Sequence, residues 1–281
     1  MNRKIFFFDI DGTIVGDSRK LRQANLDAIL RLKDQGHLIF ICTGRAPVSI
    51  DKYLWETGFT GVIASAGSFI YVGKEKIYEN CIDKELLRQT LRLFEENDVY
   101  PTLETEEAVY QHTRSAAMFL QMEVSHLRNN LEMLRRFEDL RKTFVTVPLD
   151  QFDIDKVPVP KLSYMAQDPG KFERCLPFLE EHYHIVTFDR FKSKFAHGEL
   201  IQKNCTKGDA VKFLCDYYSI PLTDSYGFGD SMNDYEMLEV CGHSYACTES
   251  PDALKAVSDG EFPPPDSDGM AKLLEQLPLL S

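Results

Sequence analysis

An α/β core on a mainly parallel sheet, interrupted by an α+β insertion, is the fold class that three features of this 281-residue sequence predict. Short apolar runs alternate with amphipathic helical stretches at the start of the chain, the alternation fails in the middle, and it returns towards the end. A parallel crossover needs a helix between its strands, so regular alternation reads as a parallel sheet, whereas irregular order reads as α+β. The expected core is 1–82 with 190–281, and the expected insertion is 83–189. A chain of this length has ample material to bury both.

The first strand, from Lys4 to Phe8, ends in Asp9-Ile10-Asp11-Gly12-Thr13. A strand repeats every two residues, so Asp9 and Asp11 leave it towards the same side. Two carboxylates that close repel unless one holds a proton or a cation lies between them. A helix over 23–35, with Leu26, Ile29 and Leu30 apolar, stops at Gly36. The run 37–42 reads as a strand buried on both faces, followed by Thr43-Gly44-Arg45 and by Pro47, which favours a first helical turn. A second helix through Trp55 leads to a strand over 62–65, and 69–72 and 76–78 form a hairpin around Gly73-Lys74-Glu75. In such sheets ligands gather at the carboxyl ends of strands, where Asp9, Asp11 and Thr43 fall.

The insertion opens with Asp83 as the N-cap of a helix reaching Asn97. Strands over 99–104 and 108–112, a long polar helical stretch over 122–140, strands over 142–147 and 161–165, a helix over 169–181 and a strand over 184–188 follow. The core resumes with a strand over 194–201, a helix over 207–218 containing Val211, Leu214 and Cys215, and a strand over 225–229 with Asp230 at its end. A helix over 232–241, a strand at Tyr245-Ala246, a helix near Ala253, a proline turn over 262–265 and a helix over 268–277 complete it.

The net charge of -12 argues against nucleic acid or an anionic membrane as partner, since either requires a basic face. The N-terminal apolar run is too short for a signal peptide or a membrane span, and no other run is long enough for a span. Seven scattered cysteines without C-x-x-C spacing read as reduced, the expectation for a cytoplasmic protein. Asp9-Ile10-Asp11 superficially opens a calcium loop, but Ile14 stands at the required glycine and Lys20 at the terminal glutamate. Tyr110, His112 and Arg114 lie in the insertion and could reach a ligand, with a solvated face as the default reading.

Four stretches carry chemistry in combination: Asp9-Ile10-Asp11-Gly12-Thr13, Thr43-Gly44-Arg45, Lys207-Gly208, and Gly229-Asp230-Ser231-Met232-Asn233-Asp234. Singly, each has a plain structural reading as a cap, a first-turn acid or a surface lysine. Together, in this order at strand ends and helix starts, they resemble the haloacid dehalogenase (HAD) superfamily of aspartate-nucleophile phosphatases. Asp27-Ala28-Ile29 through Gly36, the long insertion, and Ser267-Asp268-Gly269-Met270-Ala271 resemble its Cof-type sugar-phosphatase branch.

The resemblance implies a Rossmann-like core of three layers, α/β/α, with an inserted α+β cap domain of the C2B type. It implies magnesium-dependent hydrolysis of a small phosphomonoester, a sugar phosphate or related metabolite, through an aspartyl-phosphate. Asp9 would attack phosphorus, and Asp11 would protonate the leaving oxygen and then take a proton from water. Mg2+ would be held by Asp9, the backbone carbonyl of Asp11 and Asp230, with Asp234 reaching it through water or holding Lys207. Gly12, Thr43, Gly44, Arg45, Lys207 and Asn233 would serve the phosphate, with Thr43 and Lys207 also catalytic. The partner would be a small phosphorylated metabolite and the protein a monomer or homodimer.

A phosphomutase using the same aspartates, or a non-catalytic binder of phosphorylated ligands, are the alternatives, although a pure binder has no need of Asp11. The chain departs from the family pattern in having Ala66-Gly67 where Asn-Gly is frequent, and Asn204-Cys205 before Thr206-Lys207. Arg45 would hold either the substrate or a neighbouring acid.

Overall fold

Strand β1 (Ile5–Phe8) consists of four buried residues without a polar one among them, so it takes a central place in its sheet. The computed structural model describes residues 2–118, 145–187, 195–203 and 205–277. The helical stretch expected over 122–140 lies outside them. On one side of β1 stand β2 (Leu38–Cys42), β3 (Gly61–Ala64), β4 (Phe69–Val72) and β5 (Glu75–Glu79). On the other stand β12 (Ser225–Gly229), β13 (His243–Cys247) and β14 (Gly260–Phe262). Pairing is parallel from β14 through β3 and antiparallel from β3 through β5.

Alternation along β1 sorts its side chains between the two faces. Phe6 and Phe8 stack on Tyr226 and Phe228, with ring centroids 4.6 and 4.7 Å apart. Ile5 and Phe7 join Phe40 with Val211 and Leu214 of the helix Lys207–Tyr218 in a buried cluster. The helix Gln23–Asp34 (α1) buries Ala28, Ile29 and Leu32 and packs on the helix Gly269–Gln276. Asn25 is buried in α1 because its carboxamide is fully employed, donating to Pro265 O at 2.9 Å and accepting from Ala271 N at 3.0 Å.

A second sheet has the order β10 (Tyr183–Thr187), β11 (Ala196–Gln202), β9 (Lys161–Ala166), β6 (Tyr100–Glu104), β7 (Val109–Gln111), β8 (Thr146–Pro148). It is antiparallel except between β7 and β8. Leu103, Leu162, Tyr164 and Leu200 on one face pack with Leu87 and Phe94 of the helix Lys84–Glu96, which Asp83 caps by accepting from the Glu85 and Leu86 amides. By contacts, Ala46–Ser49 and Cys81–Lys203 form one compact unit, and Met1–Arg45, Ile50–Asn80 and Asn204–Ser281 form the other.

The structure corrects the sequence reading in four places. The strand expected near 194–201 within the core is β11, laddered between β9 and β10 in the second sheet, so that unit runs on to Lys203. The helix expected over 169–181 is two, Pro169–Glu173 and Leu176–His182, with Pro177 in the first turn of the second, where a missing N–H costs nothing. The helix expected over 232–241 begins as a 3-10 turn, Met232–Asp234, and becomes α-helical only at Tyr235–Val240. Finally, Phe262, read as the start of the proline turn, is the fully buried last residue of β14, a strand the sequence reading did not include. The seven cysteines are free, all but Cys81 buried. Among the described residues no helix is long and apolar enough to cross a membrane.

Candidate active site

Strands β1, β2, β3 and β12 run parallel, so their carboxyl ends share one edge, and the next residues are Asp9, Thr43, Ser65 and Asp230. The chain leaves β1 for β2 on one side and returns to β12 on the other, which makes the edge above β1 the topological switch point of the sheet. There Asp9, Asp230 and Asp234 bring carboxylate oxygens within 4.8 Å of one another.

Lys207 is placed by a capping box that starts its helix. The Thr206 hydroxyl accepts from Asp209 N, and the Asp209 carboxylate accepts from Thr206 N, both at 3.1 Å. The lysine is fully buried, and its ammonium donates to Asp9 Oδ1 and Asp234 Oδ1 at 2.5 Å each, with Asn233 Oδ1 at 3.4 Å. Burial alone would pull its pKa down, but Asp234 and Asp9 outweigh that and hold it above the usual lysine value. The other oxygen of Asp234 accepts from the amides of Asp230 and Ser231 at 3.0 and 3.1 Å. Asp234 therefore holds Lys207 and shapes the turn after β12.

Burial, then the neighbouring Asp234 and Asp230, push Asp9 well above the usual carboxylate range against the pull of Lys207. Asp230 is raised to about 6, mainly by burial and by Asp234, while its Oδ1 accepts from Thr13 Oγ1 at 3.1 Å. Gly12 makes this packing feasible. Its φ is +81°, and a Cβ there would fall on the Asp230 carboxylate.

Asp11 takes a different course. Its carboxylate is 62 % exposed and receives both arms of Arg45, Nη2 to Oδ1 at 2.6 Å and Nε to Oδ2 at 2.8 Å. Arg45 Nη1 also donates to Asp51 Oδ2 at 3.0 Å. Of the two roles open to Arg45, the structure places it on the neighbouring acid. The Thr43 side chain is buried and its hydroxyl accepts from Arg45 N at 3.1 Å, while Gly44 lies beside the Asn233 amide group. Ser65 and Ala66 both take left-handed φ, 50° and 57°, and their amides bond Arg45 O and Thr43 O at 2.8 and 2.9 Å. The turn after β3 thus keeps its shape with alanine at the position of the frequent asparagine.

The donor set suits a hard divalent cation. Three carboxylates (Asp9, Asp230, Asp234) against one ammonium (Lys207) leave two uncompensated negative charges on oxygens at a buried place. Burial first, and the neighbouring carboxylates second, raise the proton affinity of Asp9 and Asp230, and a bound cation would relieve the second of these. The carboxylate of Asp11 stands outside this group.

Two contributors escape the sequence reading. Thr13 reads as part of the turn motif with no task of its own, and Asp51 is not singled out from the sequence at all; the preceding arginine-bearing turn is the one signal that could have drawn attention to it. Tyr110, His112 and Arg114 are employed within the second unit: Tyr110 packs edge-on to Phe152, and Arg114 donates to Tyr100 Oη at 2.6 Å and through its amide to His112 Nδ1 at 3.1 Å.

A family model described as haloacid dehalogenase-like hydrolase matches residues 6–274. The 5-amino-6-(5-phospho-D-ribitylamino)uracil phosphatase YwtE of Bacillus subtilis (strain 168) is 26 % identical over 286 residues, covering 98 % of each chain. A haloacid dehalogenase-like hydrolase from B. subtilis shares the fold with a TM-score of 0.79, at 22 % identity over 98 % of this chain and 99 % of that one. The HAD subclass IIB sugar phosphatase BT4131 does so with a TM-score of 0.75, at 23 % identity over 98 % and 99 %.

Proposed function

The chain belongs to the haloacid dehalogenase-like hydrolase family, and from that premise we propose that it is a phosphatase of small phosphomonoesters, with Asp9 as nucleophile. The observation that carries the reading is the buried clamp of Lys207 on Asp9 and Asp234, with Asp230 alongside, at the switch point of the sheet. Sugar phosphates or related metabolites are the proposed substrate class, supported by the phosphorylated ribityl compound in the name of one relative and the sugar-phosphatase description of one structural neighbour.

Lys207 engages Oδ1 of Asp9, which leaves Oδ2 to attack. As the Asp9 oxygen–phosphorus bond forms, the bond from phosphorus to the alcohol oxygen breaks, and a proton from Asp11 goes to that oxygen. In the second half, water attacks phosphorus, Asp11 takes the water's proton, and the Asp9–phosphorus bond breaks to release inorganic phosphate. Lys207 stays charged throughout and fixes the nucleophile's rotamer. Thr43 and Gly44, at the end of β2, would donate to the phosphoryl oxygens. Asp9, the Asp11 carbonyl and Asp230 would hold Mg2+, whose charge, when bound, offsets that of the phosphoryl group and so permits attack by an anion. Phosphoryl transfer depends mainly on such positioning and charge neutralisation.

The test is phosphate release from a panel of sugar phosphates, nucleotides and cofactor phosphates, in Mg2+ and in EDTA, with Asp9→Asn as control. Release that needs Mg2+ and disappears in the variant is the expected result. Hydrolysis that survives Asp9→Asn would falsify the assignment of the nucleophile, and isomerised substrate without free phosphate would make the protein a mutase.

A further inference from the structure

Arg45 joins Asp11 to Asp51 in a row lying beside the buried clamp. Two parallel N–H···O bonds from one guanidinium to one carboxylate fix both the place and the plane of that carboxylate. Asp11 needs such fixing, because it sits exposed on the turn after β1, where a short side chain otherwise samples several rotamers. The guanidinium is itself held by Asp51. That residue stands at the N-cap of the helix Lys52–Glu56, where an aspartate ordinarily accepts from first-turn amides; here it makes no such bond and turns to Arg45 instead. The Arg45 backbone is fastened as well, its N–H to Thr43 Oγ1 and its carbonyl to Ser65 N.

We propose that Arg45 is the positioning residue for Asp11, with Asp51 as its anchor, and that it is not a ligand of the substrate phosphate. The inference rests on the phosphatase reading above. Both Asp11 oxygens accept from Arg45, whereas passing a proton to the leaving oxygen requires Asp11 to present one of them. One arm of the fork opens for that transfer, and the remaining arm with Asp51 keeps the guanidinium in place, so that the carboxylate returns to the same position to take the proton from water. A lysine has no second arm and no planar fork, so charge alone does not replace this function.

The experiment compares wild type, Arg45→Ala, Arg45→Lys and Asp51→Asn on two esters, β-glycerophosphate and p-nitrophenyl phosphate, in steady state and in the first turnover. An alkoxide needs a proton to leave and a nitrophenolate does not. Arg45→Ala is expected to lower kcat on β-glycerophosphate about 100-fold, the scale of acid–base catalysis, with KM within about threefold of wild type. Its first-turnover release of nitrophenolate is expected at close to the wild-type rate, while its later turnovers slow because the attack of water still needs Asp11. Arg45→Lys is expected to repeat this pattern, which also covers the case of an Arg45→Ala protein that does not fold, and Asp51→Asn to show a weaker version of about threefold to tenfold.

The proposal is overturned if Arg45→Ala or Arg45→Lys raises KM about tenfold or more with kcat kept on both esters, the mark of lost ground-state binding. Equal loss of first-turnover rate on both esters overturns it too. A wild-type protein that hydrolyses neither these esters nor any member of the sugar-phosphate, nucleotide and cofactor-phosphate panel removes the phosphatase reading, and the proposal with it; activity that ignores Arg45 removes the proposal alone.

Discussion

Two buried lysines, one in each unit, grip two carboxylates apiece, yet they stand in opposite kinds of surroundings. Lys207 lies at the ends of parallel strands, fully buried between Asp9 and Asp234 with a third acid, Asp230, in reach. Lys161 lies inside β9, its side chain 4 % exposed, between Glu104 of β6 at 3.4 Å and Glu199 of β11 at 2.8 Å. Glu104 is its direct cross-strand neighbour, and Ser163 supports Glu104 from the same face of β9. The second arrangement pins three strands in register, as cross-strand charge pairs do. The first gathers three carboxylates around one ammonium, a larger negative excess than the two glutamates leave on Lys161. Both lysines are outnumbered, Lys161 by one carboxylate and Lys207 by two, but the excess at Lys161 is spread over a ladder that keeps contact with water, whereas the excess at Lys207 is gathered at the strand ends.

The sharpest way to break the comparison is to neutralise one acid on each side. Asp9→Asn is expected to lower kcat by about 10⁴-fold or more in a phosphate-release assay, the scale seen when a nucleophile is lost. Glu104→Gln leaves the reacting groups untouched, so its effect is expected in urea unfolding and not in the chemical step.

The next largest contrast is in stability. Lys207→Met strands three carboxylates without a cation, and urea titration in EDTA should show a loss of about 3–5 kcal/mol, the cost of breaking a buried pair. Lys161→Met is expected to cost less, about 2 kcal/mol, since Glu104 and Glu199 retain some contact with water at 16 % and 22 % side-chain exposure. Equal losses would mean that the two clamps differ in location only.

The smallest effect is in pH. The folded state raises Asp230 from 3.8 to about 6, so it favours the protonated acid there. The stabilising contribution of that proton is complete below about pH 3.8 and is lost as pH rises to about 6. Unfolding free energies of wild type and Asp230→Asn in EDTA should therefore diverge across this window, with wild type losing ground as pH rises. Added Mg2+ should remove the divergence at the upper end, because a cation replaces the proton. Parallel curves in EDTA would show that the charge on Asp230 is balanced without any ion.

The core was legible because its strands announce themselves twice, as apolar runs and by the polar residues that terminate them: Asp9 after β1, Thr43 after β2, Asp230 after β12. The acids at strand ends and the lysine at a helix start could be found without coordinates for the same reason, since each is tied to a local element boundary. Lys161 could not. Its partners come from β6 and β11, and nothing in Lys161-Leu162-Ser163-Tyr164 says that two glutamates lie across the ladder. Asp51 was hidden by the same cause, a contact set by folding rather than by spacing. The strand Ala196–Gln202 was misassigned because an apolar run looks the same in either sheet, and only its antiparallel partners decide which one it joins.

The sheet order also has a consequence for how the chain is made. β1 is made well before β12, one of its two neighbours, and α1 likewise precedes Pro265 and Ala271, which satisfy Asn25. The contiguous stretch Cys81–Lys203 has its sheet partners within itself and can fold in the meantime. Until β12 arrives, Phe6, Phe7 and Phe8 form an apolar strand with an open edge, so a protein cut short before β12 is expected to self-associate through it.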